Sequence, residues 1–126
     1  MKVLTIKQPW ASLIINKYKR YEFRSWKTNY RGKILIHAGV SLDKESAKRF
    51  YDYNLDLIKG AIIGEAELID CIPVDDSLEK ELLKENPVVY KKSNYSREYA
   101  WKLDNIIKYD EPIYIKGQLG LWNYDK

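Results

Sequence analysis

The stretch KVLTIKQPWASLIINKYKRYEFRSW, residues 2–26, changes its hydrophobic pattern twice and gives the first indication of the fold. Residues 2–6 are rich in β-branched side chains and predict a short strand. Pro9 then stands where a helix can begin, and apolar residues recur after it at helical spacing. Residues 21–26 alternate between apolar and polar side chains, as a strand with one buried face does. The stretch therefore predicts a strand, a short helix and a second strand.

The rest of the chain continues to mix strand and helix patterns after a turn at residues 30–32. Further strands are predicted at residues 33–38, 60–72 with a bend at Gly64, 99–109, 111–115 and 120–124. Two further helices are predicted at 42–58, with Ser41 as N-cap, and from Asp76 to about Glu85, before Pro87. The glycines of residues 116–120 indicate a hairpin or bulge. Strands outnumber helices in a mixed order, which favours an α+β barrel with helices at its rim over a parallel βαβ fold.

The length and composition of the chain limit the classes of protein to which it can belong. A chain of 126 residues with 32% charged residues is typical of one ordinary globular domain, residues 1–126. No apolar run has the length of a membrane span, and the first residues carry no secretory pattern. The single cysteine, Cys71, permits neither an internal disulfide nor a cysteine metal cluster, and we expect it to be inert core. A cytoplasmic protein without membrane, metal or cofactor partners is therefore expected.

Charge is distributed unevenly along the chain. Residues 17–33 hold seven basic residues and one acidic residue, Glu22, whereas residues 41–86 hold six basic and twelve acidic residues. If the fold keeps these segments apart, the positive lobe attracts phosphate. Alternatively, folding brings the two segments together and cancels the field.

Polar side chains on the predicted 21–26 strand are the first candidates for a site. Glu22 and Arg24 project from one face, about 7 Å apart, and Trp26 shares that face. An exposed ion pair of this kind contributes only about 0–1 kcal/mol. Lys19 lies at the corner between helix and strand. It is either solvated there, or held near aromatic rings where it binds phosphate or acts on a carbonyl with a lowered pKa.

Aromatic residues near these cations add a second candidate feature. Trp10, Tyr18, Trp26 and Tyr30 lie close in sequence to lysines and arginines, which is the composition of sites that stack bases and bind phosphate. Core burial is the expectation for Trp10, Trp101 and Trp122, so Trp26 is the better candidate for stacking. The lone histidine, His37, is predicted to be a satisfied, half-buried side chain rather than a metal ligand. The sequence has no P-loop, dinucleotide fingerprint or nucleophile elbow.

The order of these motifs closely resembles the ASCH domain family. The resemblance rests on KQPWA at residues 7–11, the K-x-x-E-x-R signature of Lys19, Glu22 and Arg24, SWKTNYRG at 25–32 and IHA at 36–38. Later blocks at residues 60–71, 99–103 and 116–122 continue it. Two positions depart from the family pattern: Lys17 stands where glycine is frequent, and Arg20 where threonine is frequent.

The resemblance implies a PUA-like fold, a compact β-barrel with short helices packed at its side, and a cleft that binds RNA or a nucleotide. Some members of the family are amidohydrolases of acylated cytidine. They have a lysine at the position of Lys19, a threonine at that of Glu22, and a distant glutamate that Glu85 matches only weakly. The threonine is absent here, which argues against carrying that activity over directly.

Two functions follow as hypotheses. In the first, the chain binds RNA or a nucleotide: Glu22 accepts hydrogen bonds from the ligand and a set of cleft residues contacts phosphate and base. That set is Lys7, Gln8, Trp10, Arg24, Trp26, Tyr30 and Arg31. In the second, it hydrolyses a modified nucleoside or RNA, with Lys19 activating water or a carbonyl and Glu22 moving the proton. A protein adaptor using the acidic residues 41–86 is a third possibility, and the oligomeric state is left open.

Overall fold

The computed structural model describes residues 1–91 and 97–125. Within these ranges there are six strands: β1 (Lys2–Gln8), β2 (Tyr21–Arg24), β3 (Gly32–Leu42), β4 (Ala61–Pro73), β5 (Tyr99–Tyr114) and β6 (Leu121–Asn123). Three short helices accompany them: α1 (Trp10–Ile15), α2 (Lys44–Arg49) and α3 (Asp76–Glu85), with a single 3₁₀ turn at Tyr51–Tyr53. The fold is therefore α+β, as the mixed pattern predicted.

All six strands join one sheet in the order β2-β5-β4-β3-β1-β6. Among the described strands, β1 and β3 pair in parallel and the other neighbours are antiparallel. The prediction of a closed barrel is wrong, because β2 and β6 end the sheet and do not pair with each other. Closure depends on hydrogen bonds between the two end strands, and alternation along each strand carries no information about them.

Helix α1 covers the core side of this sheet. All six of its residues are buried, and it contacts β1, β3, β4 and β5. Its apolar side chains include Leu13 and Ile14, which are fully buried. Each contributes about 1.5–3 kcal/mol through removal of apolar surface from water. The tryptophans expected in the core, Trp10, Trp101 and Trp122, are indeed buried.

Several element boundaries differ from the prediction. The helix predicted at residues 42–58 is shorter: α2 ends at Arg49, and its N-cap is Asp43, whose side chain accepts a hydrogen bond from Ser46 N. Ser41 belongs to β3 instead. The chain reverses at Asn54, which has a left-handed φ of 52°. The sequence pattern predicts one helix where the structure has α2 followed by a 3₁₀ turn, because a local pattern does not show where tertiary contacts end a helix.

The C-terminal strands also differ. The segments predicted at residues 99–109 and 111–115 form one long strand, β5, which pairs with β4 along most of its length. The bend predicted at Gly64 coincides with register shifts on both sides of β4. A Cβ at Gly64 would lie 2.5 Å from the carbonyl oxygen of Ile107 and 2.6 Å from Ile15 Cδ1. Glycine is required there because α1 and β5 approach the backbone closely.

No helix in the described part of the chain combines the length and hydropathy needed to cross a lipid bilayer.

Candidate functional site

The way in which α1 ends determines the position of Lys19. After the helix, Tyr18 N donates to Leu13 O and Lys17 N donates to Ile14 O, which is the hydrogen-bond pattern of a Schellman C-cap. Lys17 accordingly adopts a left-handed φ of 68°. This reversal of the chain directs Lys19 back toward the helix, where its backbone N donates to Leu13 O.

Lys19 is a buried amine, with 1% of its surface exposed. Its Nζ donates to Tyr21 O and to Glu22 Oε1, the latter at 3.3 Å. The same atom lies 4.8 Å from the centroid of the Phe23 ring and 5.5 Å from that of Trp10. Burial lowers the pKa of Lys19 from its ordinary value of 10.5 to about 8, although the charge of Glu22 opposes the shift. The solvated alternative for Lys19 is therefore wrong.

Glu22 is held between two cations. Its Oε2 lies 3.2 Å from the Nη2 atom of Arg24, and its side chain is only 9% exposed. Arg24 Nη2 also donates to Thr5 O at 2.6 Å, which links the end strand β2 to β1 on the other side of the sheet order. A carboxylate has about four acceptor sites, so these contacts leave Glu22 able to accept further hydrogen bonds. The pair is thus partly buried and structured, unlike the exposed ion pair considered above.

These three side chains line a cleft of about 550 Å³ between β1, β2 and the start of α2. A volume of this size accommodates a small organic ligand. The cleft is lined by Thr5, Ile6, Lys7, Trp10, Lys19, Glu22, Phe23, Arg24, Leu42, Asp43 and Lys44. Four cations thus share it with two carboxylates, one of which, Asp43, is already engaged in capping α2. Its electrostatic character therefore favours an anion that also carries hydrogen-bond donors.

The structure brings five of the predicted site residues to this cleft and places four elsewhere. Those in the cleft are Lys7, Trp10, Lys19, Glu22 and Arg24. Gln8 is fully buried and has a structural role: its Nε2 donates to Ile58 O and its Oε1 accepts from Ser12 N.

The remaining three lie beyond the end of β2, outside the residues that line the cleft. Trp26 packs edge-on against Trp101, whose Nε1 donates to Trp26 O. The Tyr30 hydroxyl donates to Lys33 O, and Arg31 donates to Thr28 O. Because β2 stops at Arg24, the alternation that put Trp26 on the face of Glu22 does not continue that far.

Folding partly cancels the charge asymmetry along the chain. Arg20 pairs with Glu85, Lys33 with Glu65 and Arg31 with Asp70, so each pair joins the basic segment to the acidic one. Glu85, the weakly matched glutamate, is thus held by Arg20 outside the cleft. The positive charge that remains near the cleft comes from residues scattered over β1, β2 and α2.

Asp43 and Lys44 are cleft residues that the sequence reasoning missed. They follow β3, which runs parallel to β1, so the carboxyl ends of these neighbouring strands meet at one edge of the sheet. Asp43 N donates to Gln8 O across that edge. The sequence does carry a signal for them, since β1 ends at Gln8 and Asp43 directly follows β3, but using it requires the knowledge that β1 and β3 are parallel.

The described residues contain no group of three or more His, Cys, Asp or Glu side chains arranged to hold a metal ion. His37 does not line this cleft, although it pairs on β3 with Thr5, which does. The prediction of a half-buried side chain is wrong, since His37 is only 1% exposed, and its Nε2 is 2.7 Å from Ile115 O.

Comparisons with known proteins agree with the resemblance drawn from the motifs. The model of the ASCH domain matches residues 4–113. Activating signal cointegrator 1 from Homo sapiens is 28% identical and the Mus musculus protein 29% identical, each over 97% of this chain. The chain spans only 22% of the length of either relative.

A solved structure gives the same result for the fold. The crystal structure of ASCH from Zymomonas mobilis superposes with a TM-score of 0.57 at 17% identity. The superposition covers 90% of this chain and 72% of the other. The open six-stranded sheet with its short helices accordingly fits a PUA-like fold.

Proposed function

This chain belongs to the ASCH domain family, and from that premise we propose that its cleft binds a nucleotide of single-stranded RNA. The observation that carries the proposal is the buried carboxylate of Glu22, held between Lys19 and Arg24 on the floor of the cleft. Such a carboxylate selects ligands that bring hydrogen-bond donors, which are present on nucleobase edges and ribose hydroxyls.

The cations around Glu22 supply the complementary part of the recognition. Lys7, Arg24 and Lys44 line the cleft, and Arg24 is the most constrained of them because Thr5 O and Glu22 fix its guanidinium. A phosphate bound there gains charge-assisted hydrogen bonds, while Glu22 repels an anion placed too deep. The ligand is thus oriented with its phosphate toward the rim and its donors toward Glu22.

Trp10 forms part of the apolar wall, but it is only 5% exposed, and its ring meets Phe50 edge-on and lies near Lys19. The proposal does not require a base to stack on Trp26 or Tyr30, because both residues lie outside the cleft.

Titration of ¹⁵N-labelled protein with the four ribonucleoside 5′-monophosphates tests the proposal. We expect amide shifts to change at residues 5–7 and 22–24 and to remain constant at Glu67, on the far part of β4. Inorganic phosphate serves as the control and should reproduce only the part of the pattern near Arg24. If all four nucleotides leave residues 5–7 and 22–24 unchanged at millimolar concentration, the proposal fails.

A second candidate function is hydrolysis of an acylated nucleoside, and the state of Lys19 favours it. With a pKa of about 8, a sizeable share of this buried amine is neutral in mildly basic solution and available as a base. Water would then add to the acyl carbon, and the carboxylic acid and the free amine would leave. A screen of acylated nucleosides with the wild type and Lys19→Met tests this function. Equal turnover by both proteins, or none by either, contradicts it.

A further inference from the structure

A second cavity adjoins the cleft on the other side of Arg24. It has a volume of about 550 Å³ and shares Thr5, Lys7 and Arg24 with the cleft as a common wall. Its lining residues are Thr5, Lys7, Arg24, His37, Gly39, Val40, Ser41, Gly60, Lys116, Gly117, Gln118, Leu119 and Gly120. Among the described residues that line it there are three cations and no carboxylate, so this cavity is more strongly cationic than the first.

The wall of the second cavity contains a buried acceptor without a partner. His37 is 1% exposed, and its Nε2 faces the carbonyl oxygen of Ile115, which can only accept. Nε2 therefore carries the proton, and Nδ1 of the neutral ring is an acceptor. No residue in the described ranges 1–91 and 97–125 hydrogen-bonds to that Nδ1. That Nδ1 atom is itself buried, with Gly117 packed against the ring, so a ligand in the cavity does not contact it.

The loop over His37 is closely fitted and keeps the acceptor in place. A Cβ at Gly117 would lie 2.7 Å from His37 Cε1 and 2.9 Å from Thr5 Oγ1, so only glycine allows the loop to come this near. Thr5 Oγ1 in turn accepts a hydrogen bond from Trp122 Nε1 at 3.0 Å. The ring of His37 packs edge-on against Trp122. These contacts fix one wall of the cavity before any ligand arrives.

The mouth of the cavity is apolar and exposed. Val40 is 75% exposed and Leu119 is 98% exposed, although both line the cavity. Large aliphatic side chains at such exposure offer surface to the flat face of a ligand. Arg24, in the shared wall, also has an Nε donor that is buried and lacks a partner in the described part of the chain.

We propose that the second cavity holds the nucleotide adjacent to the one in the cleft, so that the recognised unit is a dinucleotide. The linking phosphate lies at the shared wall on Arg24 and Lys7, and the second base contacts Val40 and Leu119. This inference rests on the proposed function, since it extends the same ligand into the neighbouring cavity.

The test compares three ligands: a ribonucleoside 5′-monophosphate, the 5′-phosphorylated dinucleotide, and the same dinucleotide with an abasic second unit. Calorimetry at a fixed salt concentration is applied to the wild type and to the double variant Val40→Thr/Leu119→Ser, which removes the apolar mouth without changing charge. The control is Tyr51→Ser/Leu83→Ser, two exposed apolar positions that line neither cavity.

We expect the dinucleotide to bind the wild type about tenfold more tightly than either other ligand, as is typical for one additional contacted base. The Val40/Leu119 variant should lose most of that advantage and keep its affinity for the monophosphate, whereas the control should behave as wild type. If the dinucleotide and its abasic analogue bind equally, the second subsite is refuted while the first stands. If no ligand binds the wild type, the proposed function itself is refuted.

Discussion

The amine of Lys19 lies 3.3 Å from Oε1 of Glu22, and the two side chains are almost completely removed from water. Breaking such a pair by removing one partner is costly because it leaves an uncompensated charge, whereas an exposed pair contributes little. Glu22 also contacts Arg24, so one carboxylate organises both cations of the signature. The signature is therefore one connected unit whose members cannot be changed independently.

The first prediction concerns the pH dependence of stability through Lys19. Its folded-state pKa of about 8 lies below its ordinary value of 10.5, so the unfolded chain holds more protons between these values. The free energy of unfolding attributable to Lys19 therefore rises with pH in that interval. Relative to Lys19→Met, the wild type should gain about 2 kcal/mol between pH 7 and pH 10. Urea unfolding of both proteins measures the difference.

Tyr90 and Tyr109, whose pKa values burial raises to about 12, titrate in both proteins and so cancel in this comparison. A difference between wild type and Lys19→Met that stays constant from pH 7 to pH 10 would contradict the lowered pKa of Lys19.

The second prediction concerns Arg24 and the salt dependence of binding. Arg24→Ala removes a cation that lines both cavities, so affinity for short single-stranded RNA should fall about tenfold. The slope of log K against log salt should flatten by about one, as expected when one phosphate contact is lost. Filter binding or fluorescence anisotropy over a series of salt concentrations measures both quantities.

Arg31→Ala is the matched control for Arg24, because it removes the same charge from a residue that contacts Asp70 away from the cleft. Thermal unfolding should first show that both variants fold. An equal loss of affinity in the two variants would mean that general positive charge, rather than the cleft, drives binding.

The third prediction concerns Lys17, which has a left-handed backbone conformation just after the C-terminus of α1. Lys17 has a φ of 68°, a backbone conformation that favours glycine. Lys17→Gly should therefore raise the free energy of unfolding by about 0.5–1 kcal/mol, since relief of strain outweighs the added backbone entropy. Denaturant unfolding checks the sign.

Lys48→Gly provides the opposite case, because Lys48 is exposed in the last turn of α2, where the backbone is helical. Glycine there should lower stability by about 0.5–1 kcal/mol. If both substitutions destabilise the protein alike, the strain assigned to Lys17 does not exist.

The fourth prediction concerns the close approach at Gly64. Gly64→Ala places a methyl group against the backbone of Ile107 and the side chain of Ile15, and neither the strand nor the core can move away cheaply. The loss should be about 3 kcal/mol. Gly120→Ala, where φ is 66° but no atom lies within 4 Å, should cost only about 1 kcal/mol. Similar losses at both positions would show that steric contact at Gly64 is unimportant.

The sequence by itself determined the local features: the strand–helix–strand opening, the bend at Gly64, the burial of Trp10, and the family through its K-x-x-E-x-R signature. These follow from periodicity, turn chemistry and motif order, which are properties of residues close together in the chain. The signature residues also came together in one cleft, because Lys19, Glu22 and Arg24 lie within a single turn and strand.

Only the tertiary structure decided the features that depend on distant segments. Whether the sheet closed depended on β2 and β6 meeting, and they do not. Asp43 lies in the cleft because β3 is parallel to β1. Trp26 lies outside it because β2 ends at Arg24, two residues before Trp26. The second cavity likewise forms because the loop of Gly117 packs against His37, which is distant in sequence. Hydrogen bonding between strands and packing between loops are set by the whole chain at once, and no local pattern encodes them.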